Sequence, residues 1–169
     1  MHGVTRTMRA YLGFTVLAFL ISLETAAADQ LAAEAGYGFG NSYRAEGLFL
    51  RYQKDAPPLW DRKSFYDVAL ARWNGKNWNN AISVARGLQW DLHENSYVSA
   101  SFGLAYADRV TGNFGTRAQF ILRLAAGRSF GDYDLSVGVI HYSNGHILVG
   151  WDGPNSGENY LTVLLARHL

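Results

Sequence analysis

Cysteine is absent from the 169 residues. No disulfide framework holds this chain, so it must be stabilised by other means. Net charge is nearly absent too. Fifteen Lys and Arg balance fourteen Asp and Glu, for a formal +1, which excludes an electrostatic nucleic-acid binder. Proline is scarce, at three residues, and no linker, repeat or charge block divides the chain. Nor is there an apolar run long enough for a membrane helix, which needs roughly 20 residues. The run YLGFTVLAFLISL, Tyr11 to Leu23, has 13. Arg6 and Arg9 precede it, and Ala26, Ala27 and Ala28 follow. A basic segment, a short apolar segment and small residues in that order read as a secretory signal cleaved after Ala28. The expected division is 1–28 as signal peptide and 29–169 as one domain.

What is present is glycine, 18 residues, and aromatics, 14% of the chain. With little proline, that mixture suits strands and turns. Apolar residues recur at every second position. Between Ser96 and Asp108, Val98, Ala100, Phe102, Leu104 and Tyr106 alternate with Tyr97, Ser99, Ser101, Gly103, Ala105 and Ala107. Ile82, Val84, Leu88 and Trp90 oppose Ser83, Ala85, Gly87 and Gln89. Phe120, Leu122 and Leu124 oppose Gln119 and Arg123. The alternation predicts eight strands near 32–40, 45–54, 65–74, 81–92, 96–108, 116–130, 133–143 and 159–169. Short turns and longer loops separate them, KDAPPLWDRK (54–63) among the loops.

Alternation alone fits a soluble barrel with its large residues inside or a membrane barrel with them outside. The polar face decides between these. It carries Gly, Ala and Ser with scattered Arg, Asp and Gln, whereas a water-facing sheet is rich in Lys, Glu and Thr. Small residues with a few charges suit the cramped lumen of an eight-stranded barrel. The strands have about the 9–11 residues a tilted membrane strand needs. Tyr52, Trp60, Trp73, Trp90, Tyr97, Tyr106, Tyr133 and Tyr160 lie near strand ends, like an interfacial girdle. In lipid only a closed sheet satisfies its backbone. The expectation is therefore an all-β, up-and-down, eight-stranded antiparallel transmembrane barrel. Arg86 and Arg167 interrupt the apolar face and are expected near strand ends, where long side chains snorkel.

In the seventh strand, His141 and Ser143 share the face of Leu135, Val137 and Val139. The pair is thus expected to face lipid, at the extracellular end if the N-terminus is periplasmic. Unpaired polar groups there cost energy. At i and i+2 their Cβ atoms lie about 6–7 Å apart. A histidine beside a serine is the base and nucleophile half of a hydrolytic triad. On spacing alone a polar pair bonded to headgroups and water is the better reading, because HxS is a very common tripeptide.

The longer string HYSNG (141–145), then PNSGEN (154–159) before a terminal strand, resembles the PagL family of outer-membrane lipid A 3-O-deacylases. The resemblance implies an eight-stranded barrel with its site on the outer wall. It implies hydrolysis of the acyl ester at position 3 of lipid A, without metal or cofactor. Carried over, Ser143 is the nucleophile, His141 the general base and Glu158 the carboxylate that orients it. Asn144, with the backbone N–H of Gly145, forms the oxyanion hole, each donor contributing about 3–4 kcal/mol. There is one departure. By parity with Leu161, Val163, Leu165 and Leu169, Asn159 faces lipid and Glu158 faces inward; aligned after N-x-G, the family's acid falls on Asn159. A bulge would turn Glu158 outward. Without one, Asn159 takes the orienting place, as an asparagine does in papain-like sites. Asp152 is a third choice.

His141 with His146 is too sparse a set for a metal site. GYGFG (36–40) is not followed by a helix pattern and is no phosphate loop. The expected partners are lipid A within lipopolysaccharide and the lipids of the outer membrane, not nucleic acid; a homodimer stays open. The rival readings are a non-catalytic structural or adhesion barrel, an esterase for another lipid, and a soluble periplasmic barrel.

Overall fold

The computed structural model describes residues 29–75, 78–145 and 155–169. The signal segment 1–28, His146 and Asp152 lie outside them. Eight antiparallel strands follow in chain order: β1 Asp29–Gly38, β2 Glu46–Leu59, β3 Arg62–Asn74, β4 Trp78–Asp91, β5 Ser96–Ala107, β6 Ala118–Phe130, β7 Tyr133–Ser143 and β8 Glu158–His168. Each pairs with its chain neighbours, and β8 returns to β1, closing the barrel. Closure removes both sheet edges.

The alternation resolves in the membrane sense. Val98, Phe102, Leu104 and Tyr106 of β5 point outward and are exposed, as are Leu122, Leu124, Val137, Val139, Leu161 and Val163. Ser99, Ser101, Ala105 and Ala107 are buried in the lumen. A contiguous outer belt of Leu, Val and Phe suits hydrocarbon, not water.

The lumen is filled rather than open. At its centre Glu34 accepts from Arg51 Nε at 2.5 Å, Arg123 Nε at 2.9 Å and Thr162 Oγ1 at 2.7 Å. Arg51 also donates through Nη1 to Asp67, at 2.7 Å. All are buried, so each charge depends on its partners. Towards the end remote from the termini, Phe49, Trp73, Phe114, Tyr142 and Tyr160 pack together. Trp73 stacks on Tyr142 at 5.4 Å, and Phe49 meets Tyr160 edge-on at 5.6 Å. Small residues make room for such rings: a Cβ on Gly87 would lie 2.1 Å from the Phe65 ring. Removing one member of a buried ion pair strands the other. Glu34→Leu is therefore expected to lower stability by about 3–5 kcal/mol, read from urea unfolding of the reconstituted barrel by tryptophan fluorescence.

One stretch departs from expectation. KDAPPLWDRK is not a loop; β2 runs on to Leu59 and β3 begins at Arg62. The register shifts between Ala56 and Leu59, and the bulge takes up Pro57 and Pro58, which lack a ladder N–H. Trp60 and Asp61, both at positive φ, close the hairpin tightly. The extension also accounts for Arg86. Its guanidinium lies 4.9 Å over the ring of Tyr66, its direct cross-strand partner. It donates to Tyr66 Oη at 3.0 Å, Pro57 O at 2.8 Å and Ser64 Oγ at 3.0 Å. Arg86 is thus paired on the outer wall. Arg167 sits one residue from the end of β8, as expected.

Candidate active site

Register sets the site. Across the β6–β7 ladder Leu122 faces His141 and Phe120 faces Ser143. Across β7–β8, Asn159 faces His141 and Glu158 faces Tyr142. Tyr142 is fully buried in the lumen, so its neighbours His141 and Ser143 emerge together on the outer wall, each half-buried. They stand in line with the exposed Leu135, Val137 and Val139. Among the described residues no hydrogen bond joins the two. Catalytic pairs are often loose until substrate arrives.

Asn159 completes the row. Its Oδ1 lies 2.8 Å from His141 Nδ1. An amide oxygen only accepts, so Nδ1 carries the proton, which in the neutral imidazole leaves the lone pair on Nε2. That is the tautomer a general base needs.

Glu158 does not reach His141. No bulge interrupts β8 at its start, and Glu158 is buried in the lumen beside Tyr160. It accepts from Ser42 Oγ at 2.5 Å and from Asn113 Nδ2 at 3.1 Å. The expectation of Glu158 as the orienting acid is therefore corrected: strand parity sends it inward, and the residue after it meets the imidazole.

Asn144 is buried, and its backbone N–H donates to Asn155 Oδ1 at 2.9 Å. This ties the chain leaving β7 to the chain entering β8. Gly145 has a φ of +67°, and a Cβ there would lie 2.3 Å from the Phe120 ring. Phe120 in turn stacks on Phe102 at 5.6 Å. An aromatic floor thus lies beside Ser143.

Gly157, the glycine of the N-x-G motif, was given no role by the sequence. Its φ is +69°, and an added Cβ would lie 2.6 Å from Tyr142 O and 2.8 Å from His141 Cε1. Only glycine lets the chain pass this close to the imidazole. Gly157→Ala is expected to displace the ring and lower turnover by about 10² or less, since a displacement near 1 Å costs up to that much. Initial rates in detergent micelles would measure it. Ser42 and Asn113 were also missed. Both belong to connections far away in sequence, and no local period marks them.

A closed barrel with an apolar belt, a filled lumen and a polar row on its lipid-facing wall is an integral membrane protein. A family model described as PagL, lipid A 3-O-deacylase, matches residues 37–168. The chain belongs to the PagL family of lipid A 3-O-deacylases, ester hydrolases of the outer membrane. The crystal structure of the outer membrane enzyme PagL superposes with a TM-score of 0.69 at 21% identity, covering 84% of this chain and 100% of that one. A de novo designed transmembrane β-barrel gives 0.59 at 14%, covering 85% and 97%. Neisserial surface protein A gives 0.50 at 14%, covering 83% and 96%. No curated protein sequence matches. At these identities the structural likenesses speak for the fold, which a design and a surface protein share. The family match, not the barrel, separates a deacylase from a non-catalytic barrel.

Proposed function

We propose that this chain removes the 3-O-acyl group of lipid A through Ser143 as nucleophile, His141 as general base and Asn159 as the residue that orients His141. The supporting observation is the row Ser143, His141, Asn159 on the outer wall, with Asn159 Oδ1 2.8 Å from His141 Nδ1. Residues 1–28 would serve as the export signal.

The steps follow from those positions. Ser143 Oγ attacks the ester carbonyl as His141 Nε2 takes its proton. The carbonyl oxygen becomes an oxyanion, met by the Asn144 carboxamide and the Gly145 N–H. The intermediate collapses, and His141 hands its proton to the departing 3-oxygen of the sugar. The acyl chain is left as an ester on Ser143. Water, deprotonated by His141, then attacks that ester, and fatty acid and free Ser143 are released.

The location suits the substrate. The acyl chains of lipid A already lie against the barrel wall, so no lumen is needed. Phe102, Phe120, Leu122 and Leu161 surround the row and exclude water, strengthening hydrogen bonds within it. The row is at the end of β7 remote from the chain termini. With a periplasmic N-terminus that end lies in the outer leaflet. The test is mass analysis of lipid A from cells making the intact chain or Ser143→Ala. The intact chain should remove the 3-O-acyl group and the variant should leave it in place.

A further inference from the structure

The β1–β8 ladder ends at the pair Gly38 and Tyr160. Asn159 is one residue beyond it. On that side something other than the ladder must hold the orienting residue. The connection between β1 and β2 does so. Its 3₁₀ turn, Gly40–Ser42, places the buried Ser42 under the start of β8. Ser42 Oγ accepts from the backbone N–H of Asn159 at 2.8 Å and donates to Glu158 Oε2 at 2.5 Å. Phe39 N–H donates to the carbonyl of Asn159 at 3.0 Å. Both peptide groups of Asn159 are thus held from one turn.

The direction of these bonds is fixed. A carboxylate only accepts, so the single Ser42 proton must point at Glu158. The hydroxyl lone pairs are then left for the Asn159 N–H. The other oxygen of Glu158 takes Asn113 Nδ2 from the β5–β6 connection at 3.1 Å. Asn113 O accepts from Gly157 N–H at 3.1 Å, beside His141. Two connections converge on 157–159 through one buried carboxylate.

We infer that Ser42 is a positioning residue for deacylation: anchored by Glu158, it holds the Asn159 backbone so that Asn159 Oδ1 stays on His141 Nδ1. The inference rests on the catalytic reading above and adds a residue 117 positions from Asn159 in sequence. Ser42 touches no reacting atom, so it acts on turnover and not on lipid binding.

The experiment uses the full-length barrel purified in micelles with lipid A as substrate, comparing Ser42→Ala, Ser42→Thr, Asn159→Ala, the double variant and Ser143→Ala. Ser42→Ala is expected to lower kcat by about 10–30-fold, as a misplaced catalytic group does. KM should stay within about twofold, because ground-state binding is untouched. Ser42→Thr, which keeps the hydroxyl, should recover most of the rate. In the Asn159→Ala background the further loss should be under about twofold, since residues acting through one contact are not additive. Folding is followed by the mobility of unheated samples on gels. If Ser42→Ala gives no folded barrel, Ser42→Cys replaces it, being close in size but a weak hydrogen-bonding group. Full kcat in Ser42→Ala beside an inactive Ser143→Ala overturns the inference alone. So does an equal loss with and without Asn159. An active Ser143→Ala overturns the catalytic reading and this inference with it.

Discussion

Ser143→Ala is expected to fold into the same barrel and to lose deacylation by about 10⁴-fold or more, the scale seen when a hydrolase loses its nucleophile. Ser143 is half-buried on the outer wall opposite Phe120, and its hydroxyl makes no hydrogen bond to another described residue. Removing its hydroxyl breaks no hydrogen bond among the described residues, so stability should move by less than about 0.5 kcal/mol. The chemistry has no substitute. Lipid A would still lie against Phe102, Phe120 and Leu122, and the oxyanion donors would still meet its carbonyl. What remains is acceleration of direct attack by water, about 10³–10⁴ over solution. Mass spectra of lipid A should then show full 3-O-acylation in cells whose outer membranes contain as much barrel as those making the intact chain. Normal deacylation by that variant would remove Ser143 from the mechanism.

The fold was legible because the evidence for it is local. In β7 the expected and observed bounds coincide at 133–143, and every outward residue there was assigned from alternation alone. Which side faced lipid was legible from the small residues opposite the apolar face: Ser99, Ser101 and Ala105 suit a cramped lumen, not water. Prolines misled where their exception applies. Pro57 and Pro58 are accommodated by a bulge, so β2 continues where a loop was expected. Pairings between distant strands stayed hidden. The inward parity of Glu34, Arg51 and Arg123 was available, but Glu34 on β1 and Arg123 on β6 meet only once the barrel closes. Ser42 is the extreme case, because it meets Glu158 only after β8 has returned to β1. At Glu158 two lines of reading competed. The resemblance favoured a carboxylate on the histidine, while strand parity sent that carboxylate inward. Parity prevailed, since a one-residue slip would have turned Tyr160, Thr162 and Leu164 out of the lumen as well.

That competition sets up the second large effect. Asn159→Ala is expected to lower kcat by about 10²–10³, whereas Glu158→Gln, which keeps an oxygen for Ser42, should stay within about threefold of the intact chain. Without Oδ1 the imidazole loses its fixed tautomer, and part of the population holds its proton on Nε2, where it cannot act as base. The wrong tautomer costs up to about 10⁴ in a carboxylate-oriented triad. The loss should be smaller here, because an amide supplies orientation without charge. The same reasoning gives a sign for Asn159→Asp. A carboxylate in that place would fix the same tautomer and also stabilise the imidazolium formed during attack. Charge-assisted hydrogen bonds are roughly twice as strong as neutral ones, a gain of about 1 kcal/mol or more. Asn159→Asp should therefore turn over about five- to tenfold faster than the intact chain. Initial rates for the three variants on the same lipid A micelles decide the matter. If Glu158→Gln falls as far as Asn159→Ala, the carboxylate behind the wall matters as much as the amide on it. The start of β8 would then have to turn Glu158 towards His141 during the reaction.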